Sequence, residues 1–322
     1  MNRRVDISWK TILFITFFLL SLWITYLILD IILLVFVSFI LMSALYPLVD
    51  RLVAWRIPRP LAIVILFLAI LGLLIGVLAA GFTPLIIQTS SLTQRLSEAV
   101  SGLLQANYID RSVIQGQFSS ISSQLVSYTL DVFKIIVGFV SVIVVTFYLL
   151  LDRKGIEDRA TSLFVANQSK VSKLISTIEE KLGAWLRGQL ILSLIIGVVT
   201  YLGLEVLGVE FALSLAIIAG LMEVVPVIGP IISAIPAILI ALTVSPVLAG
   251  LVAGLYLAIQ QLENHLVVPQ VMKRAVGLNP LLVILTVSVG GRLLGVAGAL
   301  LAVPIAVVIQ VVIKEVLQKN ES

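Results

Sequence analysis

The sequence lacks the residue types on which several large classes of protein chemistry depend. Its 322 residues include no cysteine and a single histidine. Disulfide frameworks, thiolate nucleophiles and cysteine-based zinc sites are therefore excluded, and imidazole metal centres or His-based triads have few components. No phosphate-binding loop, HExxH zinc helix or GxSxG elbow occurs in the chain. We therefore expect no enzyme activity, no cofactor and no metal site.

Charged residues are also scarce. They make up 12% of the chain, whereas hydrophobic residues make up 60%, and an ordinary globular protein is about a quarter charged. This composition excludes a soluble domain and indicates a polytopic membrane protein. The formal net charge of +4 does not predict a nucleic-acid partner, because basic residues in membrane proteins usually mark topology.

Long apolar tracts predict an all-α integral membrane protein with about six full transmembrane helices and two re-entrant helical hairpins. A helix needs about 20 apolar residues to cross a bilayer. The predicted spans are 11–49, read as two spans joined at Asp30, then 61–82, 132–151, 188–207 and 247–262. Lys and Arg concentrate between alternate spans, so the positive-inside rule predicts a multi-pass protein of the cell membrane with both termini in the cytoplasm.

The same tracts divide the chain into six predicted segments. They are the first three transmembrane helices in 1–83, an extracytoplasmic helical cap in 84–131, the fourth transmembrane helix in 132–151, a cytoplasmic amphipathic segment in 152–187, a core in 188–313 and a cytoplasmic tail in 314–322. In the amphipathic segment, apolar residues recur at helical spacing from Leu174 to Trp185 and predict a helix with one buried face.

Two apolar tracts in the core, 211–243 and 280–313, are too short for two crossings and yet must begin and end on the same side. They predict the two hairpins, which enter from opposite faces. The expected breaks are the Glu223–Pro230 run in the first and Gly290-Gly291 in the second. A span followed by a hairpin, occurring twice, is an inverted repeat, which places a substrate site near the midplane in many secondary transporters.

Glu223 and Arg292 are the ionisable residues expected nearest the two tips. An acid at membrane depth is a functional candidate by default, but Glu223 could instead lie in water at the end of a short half-helix. Arg292 could pair with Glu223, meet an anionic substrate or extend to the interface. Glu263 closes the last span and could relay protons, although a helix-capping role is favoured. The predicted pathway residues are Glu223, Pro226, Gly229, Pro230, Glu263, Gly291 and Arg292.

Four motifs in the second half of the chain carry a family resemblance. They read EVVPVIGPIISAIP at 223–236, ENHLVVP at 263–269, VGLNP at 276–280 and GVAGALLAVP at 295–304. Together they resemble the autoinducer-2 exporter family of prokaryotic membrane proteins. The resemblance supports hinge or packing roles for Pro236, Pro269, Pro280, Gly295, Gly298 and Pro304.

The resemblance implies a gradient-driven exporter of a small polar solute, namely autoinducer-2 or a related quorum-sensing signal. Its expected partners are that solute, a proton or sodium ion, membrane lipid and further copies of the chain, with a pentamer as one form that the family implies. Two alternatives remain open at this point. One is a sodium/proton antiporter, and the other is a membrane scaffold or receptor that transports nothing.

Overall fold

The computed structural model describes residues 9–87, 137–164, 168–226, 228–272, 277 and 279–318, and every regular element in these ranges is helical. The helices are α1 (Trp9–Leu27), α2 (Leu29–Ala54), α3 (Arg59–Ile87), α4 (Val137–Leu151), α5 (Arg153–Ser162), α6 (Gln168–Val206), α7 (Ala212–Met222), α8 (Ile228–Val244), α9 (Pro246–Leu262), a π-helical turn (Glu263–Val267), α10 (Val268–Met272) and α11 (Pro280–Gln318).

Six of the described helical segments are long and apolar enough to cross a membrane, by length and composition. They support the predicted multi-pass membrane protein, and the described part of the chain is all-helical. The first tract divides at Ile28, two residues before the predicted position, with α1 ending at Leu27 and α2 beginning at Leu29, so that Asp30 lies in the first turn of α2. α1 has no buried residue, so its apolar surface is available to lipid. The predicted cap falls mostly in 88–131, outside the described residues, and α3 continues to Ile87, past the predicted boundary at 83.

The predicted amphipathic segment contains α5 and the first part of α6, and from Gln168 onward it is continuous with the predicted fifth span. α6 runs for 39 residues without a break, because neither proline nor a glycine-rich turn interrupts the sequence near 187 and 188. The predicted apolar face is confirmed. Leu182 and Trp185 are buried at 0% and 2% exposure, in a cluster with side chains of α2 and α11.

α2 and α6 cross closely at a proline. Pro47 lies inside α2 and has no amide to donate to the carbonyl of Ser43, four residues earlier. Arg187 of α6 compensates, since its Nη1 lies 3.4 Å from the Ser43 oxygen and 3.2 Å from the Ala44 oxygen. A Cβ at Gly183 would lie 2.4 Å from the same Ser43 oxygen. Only glycine therefore permits this approach of the two helices.

α7 and α8 lie where the first hairpin is predicted; they pack against each other, and α7 also packs against α6 while α8 packs against α9. The helical backbone is interrupted between Met222 and Ile228, within the predicted Glu223–Pro230 run. Pro230 lies in the first turn of α8, where a missing amide costs no intrahelical bond.

The second hairpin breaks at a different position from the predicted one. Non-helical backbone occurs at Leu294 and Gly295, with Gly295 at φ +61° and ψ −141°, a conformation that essentially only glycine adopts. Gly290 and Gly291 remain helical, so the predicted break at that pair is wrong. Gly290 instead packs on Gly298, since a Cβ added to Gly298 would lie 2.0 Å from the Gly290 oxygen. Residues eight apart meet only if the chain folds back.

α9 ends at Leu262, where the predicted sixth span ends, and Glu263 follows at its C-terminal capping position. A π-helical turn, Glu263–Val267, continues α9 into α10, and the Val268 amide donates to the Glu263 carbonyl. Pro269 follows this turn and has no amide for a regular helical bond to His265. Asn264 and His265 are exposed. Single π-turns inside helices are frequent at functional sites.

Candidate functional site

The tip of the first hairpin is built by two prolines and a glycine. Pro226 cannot donate to the Met222 carbonyl, which accepts instead from the Val225 amide at 3.0 Å. Gly229 then passes close to the same carbonyl, where a Cβ would lie 1.8 Å from the Met222 oxygen. The tip therefore depends on glycine at 229, and this geometry places Glu223 at the end of α7.

Glu223 lies entirely inside the protein, with no exposed surface. Because α7 ends here, no amide of a following helical turn donates to the main-chain carbonyl of Glu223. This carbonyl instead accepts a hydrogen bond of 2.7 Å from Nε2 of Gln189 on α6. Its two carboxyl oxygens have no donor among the described residues. A buried acceptor without a donor is costly, so the alternative of a solvated Glu223 that accepts bonds from loop amides does not describe this structure.

Glu263 faces Glu223 from the π-helical turn. It is 4% exposed, and one of its oxygens accepts a hydrogen bond of 3.1 Å from Nε2 of Gln260. The two carboxyl groups are near enough to influence one another electrostatically. Two ionised carboxylates that lie near each other inside a protein repel each other, and a proton bound to one of them removes that repulsion.

No cationic side chain among the described residues pairs with either acid, Glu223 or Glu263. Arg187, two residues before Gln189 on α6, donates to carbonyls of α2 instead. Arg292 is exposed on α11. The site therefore combines deep burial and two acids, an arrangement that favours binding of a proton or a cation over leaving both acids charged.

The first hairpin tip also contacts the second hairpin through apolar side chains. Val225, two residues after Glu223, packs against a buried cluster that includes Val287 and Ala299 of α11. A movement of either hairpin would therefore change the packing at the tip that carries Glu223.

Of the predicted pathway residues, the structure brings five together at the first tip and leaves two elsewhere. Glu223, Pro226, Gly229, Pro230 and Glu263 form or border the carboxyl site. Gly291 lies in helical backbone with its nearest neighbour atom at 3.7 Å from an added Cβ, and Arg292 is exposed, so neither occupies the break of the second hairpin. Their pathway roles stay predictions.

The predicted hinge or packing residues are distributed along the core. Pro236 lies inside α8, Pro269 in α10, Pro304 in the buried part of α11, and Pro280 begins α11. Gly295 forms the break in α11, and Gly298 forms its close contact. Positions 276 and 278 of the VGLNP motif fall outside the described residues.

Two site residues, Gln189 and Gln260, were absent from the candidates that the sequence suggested. Gln189 stands at the start of the predicted span 188–207, two residues after Arg187, where a polar side chain is ordinary and gives little signal. Gln260 lies beside Gln261 near a helix end, where polar residues are ordinary, so nothing in the sequence separates it from its neighbour.

A sequence profile decides the family. The profile of the AI-2E family transporters matches residues 12–318, nearly the whole chain. The protein belongs to the AI-2E transporter family. The family is one of transporters and permeases and is not an enzyme class.

Individual relatives extend over most of the chain at low identity. The AI-2 transport protein TqsA of Escherichia coli K12 is 26% identical over 292 residues, which cover 84% of this chain and 82% of TqsA. YueF of Bacillus subtilis strain 168, whose transport role is inferred, is 25% identical over 288 residues, which cover 81% of this chain and 78% of YueF. The family assignment and the six apolar helices together support membrane transport.

Proposed function

We propose that this AI-2E family protein is a gradient-driven exporter of a small polar solute and that the Glu223–Glu263 pair couples the solute to an ion gradient. The observation that carries the proposal is the pair itself, two buried acids at the tip of a broken helix without a basic partner in the described residues. Intramembrane acids are rare and generally mark ion or substrate pathways.

The pair gives a physical reason for coupling. With both acids ionised, repulsion and burial disfavour the closed packing of the hairpin tip against α6 and α9. A bound proton or cation removes that repulsion, so the closed arrangement becomes more favourable. An ion that binds one arrangement more tightly shifts the population between the two, which is the requirement for an ion-driven conformational cycle.

The remaining features of the proposal concern topology and substrate. The α6 span with the α7–α8 hairpin, followed by α9 with the folded α11, fits two units of an inverted repeat whose hairpins re-enter the membrane from opposite sides. In this topology the protein lies in the cell membrane with both termini in the cytoplasm. The α7–α8 hairpin then enters the membrane from the outer face and carries Glu223 at its tip. TqsA is named as an AI-2 transport protein, so autoinducer-2 is the substrate to test first.

The test measures export of labelled autoinducer-2 from proteoliposomes, with and without an imposed proton gradient. Glu223→Gln and Glu263→Gln keep side-chain size but cannot exchange a proton, and we expect both to lose gradient-driven flux. Glu205→Gln is the matched control, since Glu205 is exposed at the end of α6, and it should keep wild-type flux. Gel filtration of each variant checks that the assembly is unchanged.

The outcomes separate the mechanism from the substrate. Wild-type flux in Glu223→Gln would remove this residue from the mechanism. Absence of flux in the wild-type protein would discard autoinducer-2 as the solute, and a sodium gradient that moves protons in the same vesicles would then favour the antiporter alternative. A purified protein that moves neither solute nor ions would favour the scaffold or receptor alternative.

A further inference from the structure

The two acids of the carboxyl pair differ in their hydrogen-bond partners. One carboxyl oxygen of Glu263 accepts a hydrogen bond of 3.1 Å from Nε2 of Gln260. Neither carboxyl oxygen of Glu223 has a donor among the described residues. Both residues are buried, since Glu223 has no exposed surface and Glu263 is 4% exposed. The pair is therefore similar in burial and asymmetric in hydrogen bonding.

This asymmetry favours different protonation states for the two acids. A buried carboxylate without a donor has lost its hydration and gained no replacement, which favours the neutral form of Glu223. A hydrogen bond to an ionised carboxylate is about twice as strong as one between neutral groups. A rotated Gln260 amide can accept from protonated Glu263, but that bond joins neutral groups and is the weaker one. Gln260 therefore favours ionised Glu263.

Repulsion within the pair adds to this division. The two carboxyl groups are near enough to influence one another electrostatically, so two ionised groups are disfavoured and one bound proton removes the repulsion. That proton is held best by the acid that has no donor for its charge. The buried pair then consists of a neutral Glu223 and a carboxylate at Glu263.

The Gln260 donor moves with Glu263 and stays apart from the hairpin. Gln260 lies in the last turn of α9, three residues before Glu263, and the Glu263 amide bonds to the Gln260 carbonyl. Side chains three residues apart lie on the same helical surface. Glu223 belongs to another element, at the end of α7. A movement of the tip therefore changes the surroundings of Glu223 and leaves the Gln260–Glu263 hydrogen bond in place.

The helices that contact α7 or the π-helical turn add no charge to the pair within the described residues. α8 and α10 carry no ionisable residue. On α6, Arg187 donates to α2 carbonyls, and the other ionisable residues lie more than two helical turns from Gln189. The remaining candidates are Arg59 of α3, which donates to the Leu150 carbonyl, Tyr256 of α9, two turns before Glu263, and the exposed His265 of the π-helical turn.

We propose that Gln260 is a positioning residue that keeps Glu263 ionised, so that Glu223 alone carries the coupling proton. This inference rests on the proposed function, since it requires that a proton drives the cycle. While Glu223 is buried, it holds the proton on one carboxyl oxygen. When the tip opens to water, Glu223 gives that proton to water and becomes a carboxylate. Glu263 keeps its charge throughout, so one proton moves per cycle and no further reactant is needed.

Infrared spectroscopy of the purified full-length protein tests which acid holds the proton, because a protonated carboxyl group has its own carbonyl band. At neutral pH we expect this band in the wild type and in Glu263→Gln, and we expect it to disappear in Glu223→Gln. Three results would each overturn the proposal: no band in the wild type, loss of the band in Glu263→Gln, or a band that persists in Glu223→Gln.

A double variant tests the role of Gln260. In the Glu223→Gln background, Gln260→Met keeps the side-chain length but removes the donor. The carboxyl band of Glu263 should then appear at a pH about one unit higher than in Glu223→Gln alone, the effect of one charge-assisted hydrogen bond. The matched control is Gln261→Met in the same background, since Gln261 is exposed, and it should cause no shift.

The same experiment separates positioning from a structural role. Loss of packing alone would lower the melting temperature of the Gln260→Met variant without moving the pH at which the band appears. That result would overturn the role of Gln260, and so would an equal shift in the Gln261→Met control.

The failures of the two proposals are distinguishable. If the wild-type protein moves no solute or ion, the proposed function fails. If Glu223→Gln abolishes flux but the infrared band follows Glu263, the carboxyl pair stands as the coupling site and the division of roles is wrong. Flux driven by a sodium gradient alone would also leave the pair as the coupling site and overturn Glu223 as a proton carrier.

Discussion

The contact between Gly290 and Gly298 makes the second hairpin sensitive to a single methyl group. A Cβ at 298 would lie 2.0 Å from the Gly290 oxygen, 2.7 Å from the Gly290 carbonyl carbon and 2.7 Å from the Leu294 Cβ. Favourable contacts between such atoms require about 3.5–4.0 Å. Gly298→Ala must therefore separate the two halves of α11 by more than an ångström, or break their contact.

The cost of this substitution follows from the atoms involved. Overpacking a well-packed site costs about 1–3 kcal/mol and occasionally more. The obstructing atoms are mainly backbone, which cannot rotate away as a flexible side chain can, so we expect the upper end, about 3 kcal/mol. For a chain of this length, 1 kcal/mol corresponds to about 2 °C in melting temperature, which gives a decrease of about 6 °C.

The matched control is Gly291→Ala, in the neighbouring residue of the same helix. Its nearest contact would be the Ala299 Cβ at 3.7 Å, which is ordinary packing. Alanine is favoured over glycine inside a helix by about 1 kcal/mol, so this variant should melt slightly above the wild type. The assay is thermal unfolding of the purified protein in detergent, followed by loss of the monodisperse gel-filtration peak.

Opposite signs for the two alanines are the decisive result. If Gly298→Ala melts within a degree of Gly291→Ala, the two halves of α11 do not pack through these glycines, and the folded-back arrangement is wrong. The same pair of variants bears on function. A flux defect in the stable Gly291→Ala protein would support the pathway role that the sequence predicted for Gly291.

Two further substitutions test how backbone carbonyls are satisfied. Arg187→Met removes the donor to the Ser43 carbonyl and should lower stability by about 1–3 kcal/mol, measured as a lower melting temperature; an unchanged value would mean that another group or water replaces the guanidinium. Gln189→Leu leaves the Glu223 carbonyl without its donor and should cost a similar amount and slow autoinducer-2 flux; full stability with normal flux would show that Gln189 does not hold the hairpin tip.

Several features of the fold could be predicted from the sequence because they depend on local chemistry. The division of the first apolar tract, the span that becomes α9 and the buried face of Leu182 and Trp185 follow from apolar length and helical spacing. The break after α7 follows from Pro226, because a missing amide interrupts a helix wherever the chain lies. The four motifs also indicated the family that the profile match confirmed.

The position of the second break could not be read from the sequence in the same way. Gly290-Gly291 and Gly295 are equally able to break a helix by composition. Only the folded chain shows that Gly295 adopts the left-handed backbone while Gly290 supplies a surface for Gly298. The choice depends on which glycine meets another backbone, and that is a property of packing.

Apolar length, helical spacing and proline positions suffice to indicate a multi-pass membrane protein, most of its helical spans, the first break and an acid near the hairpin tip. Only the folded chain shows that the buried carboxyl groups of Glu223 and Glu263 lie near one another and that Gln189 donates to the Glu223 carbonyl at the tip. The two kinds of feature differ in how far apart along the chain the interacting residues lie. Hydropathy and proline act on the chain where they stand, whereas contacts between distant helices depend on how their surfaces fit together.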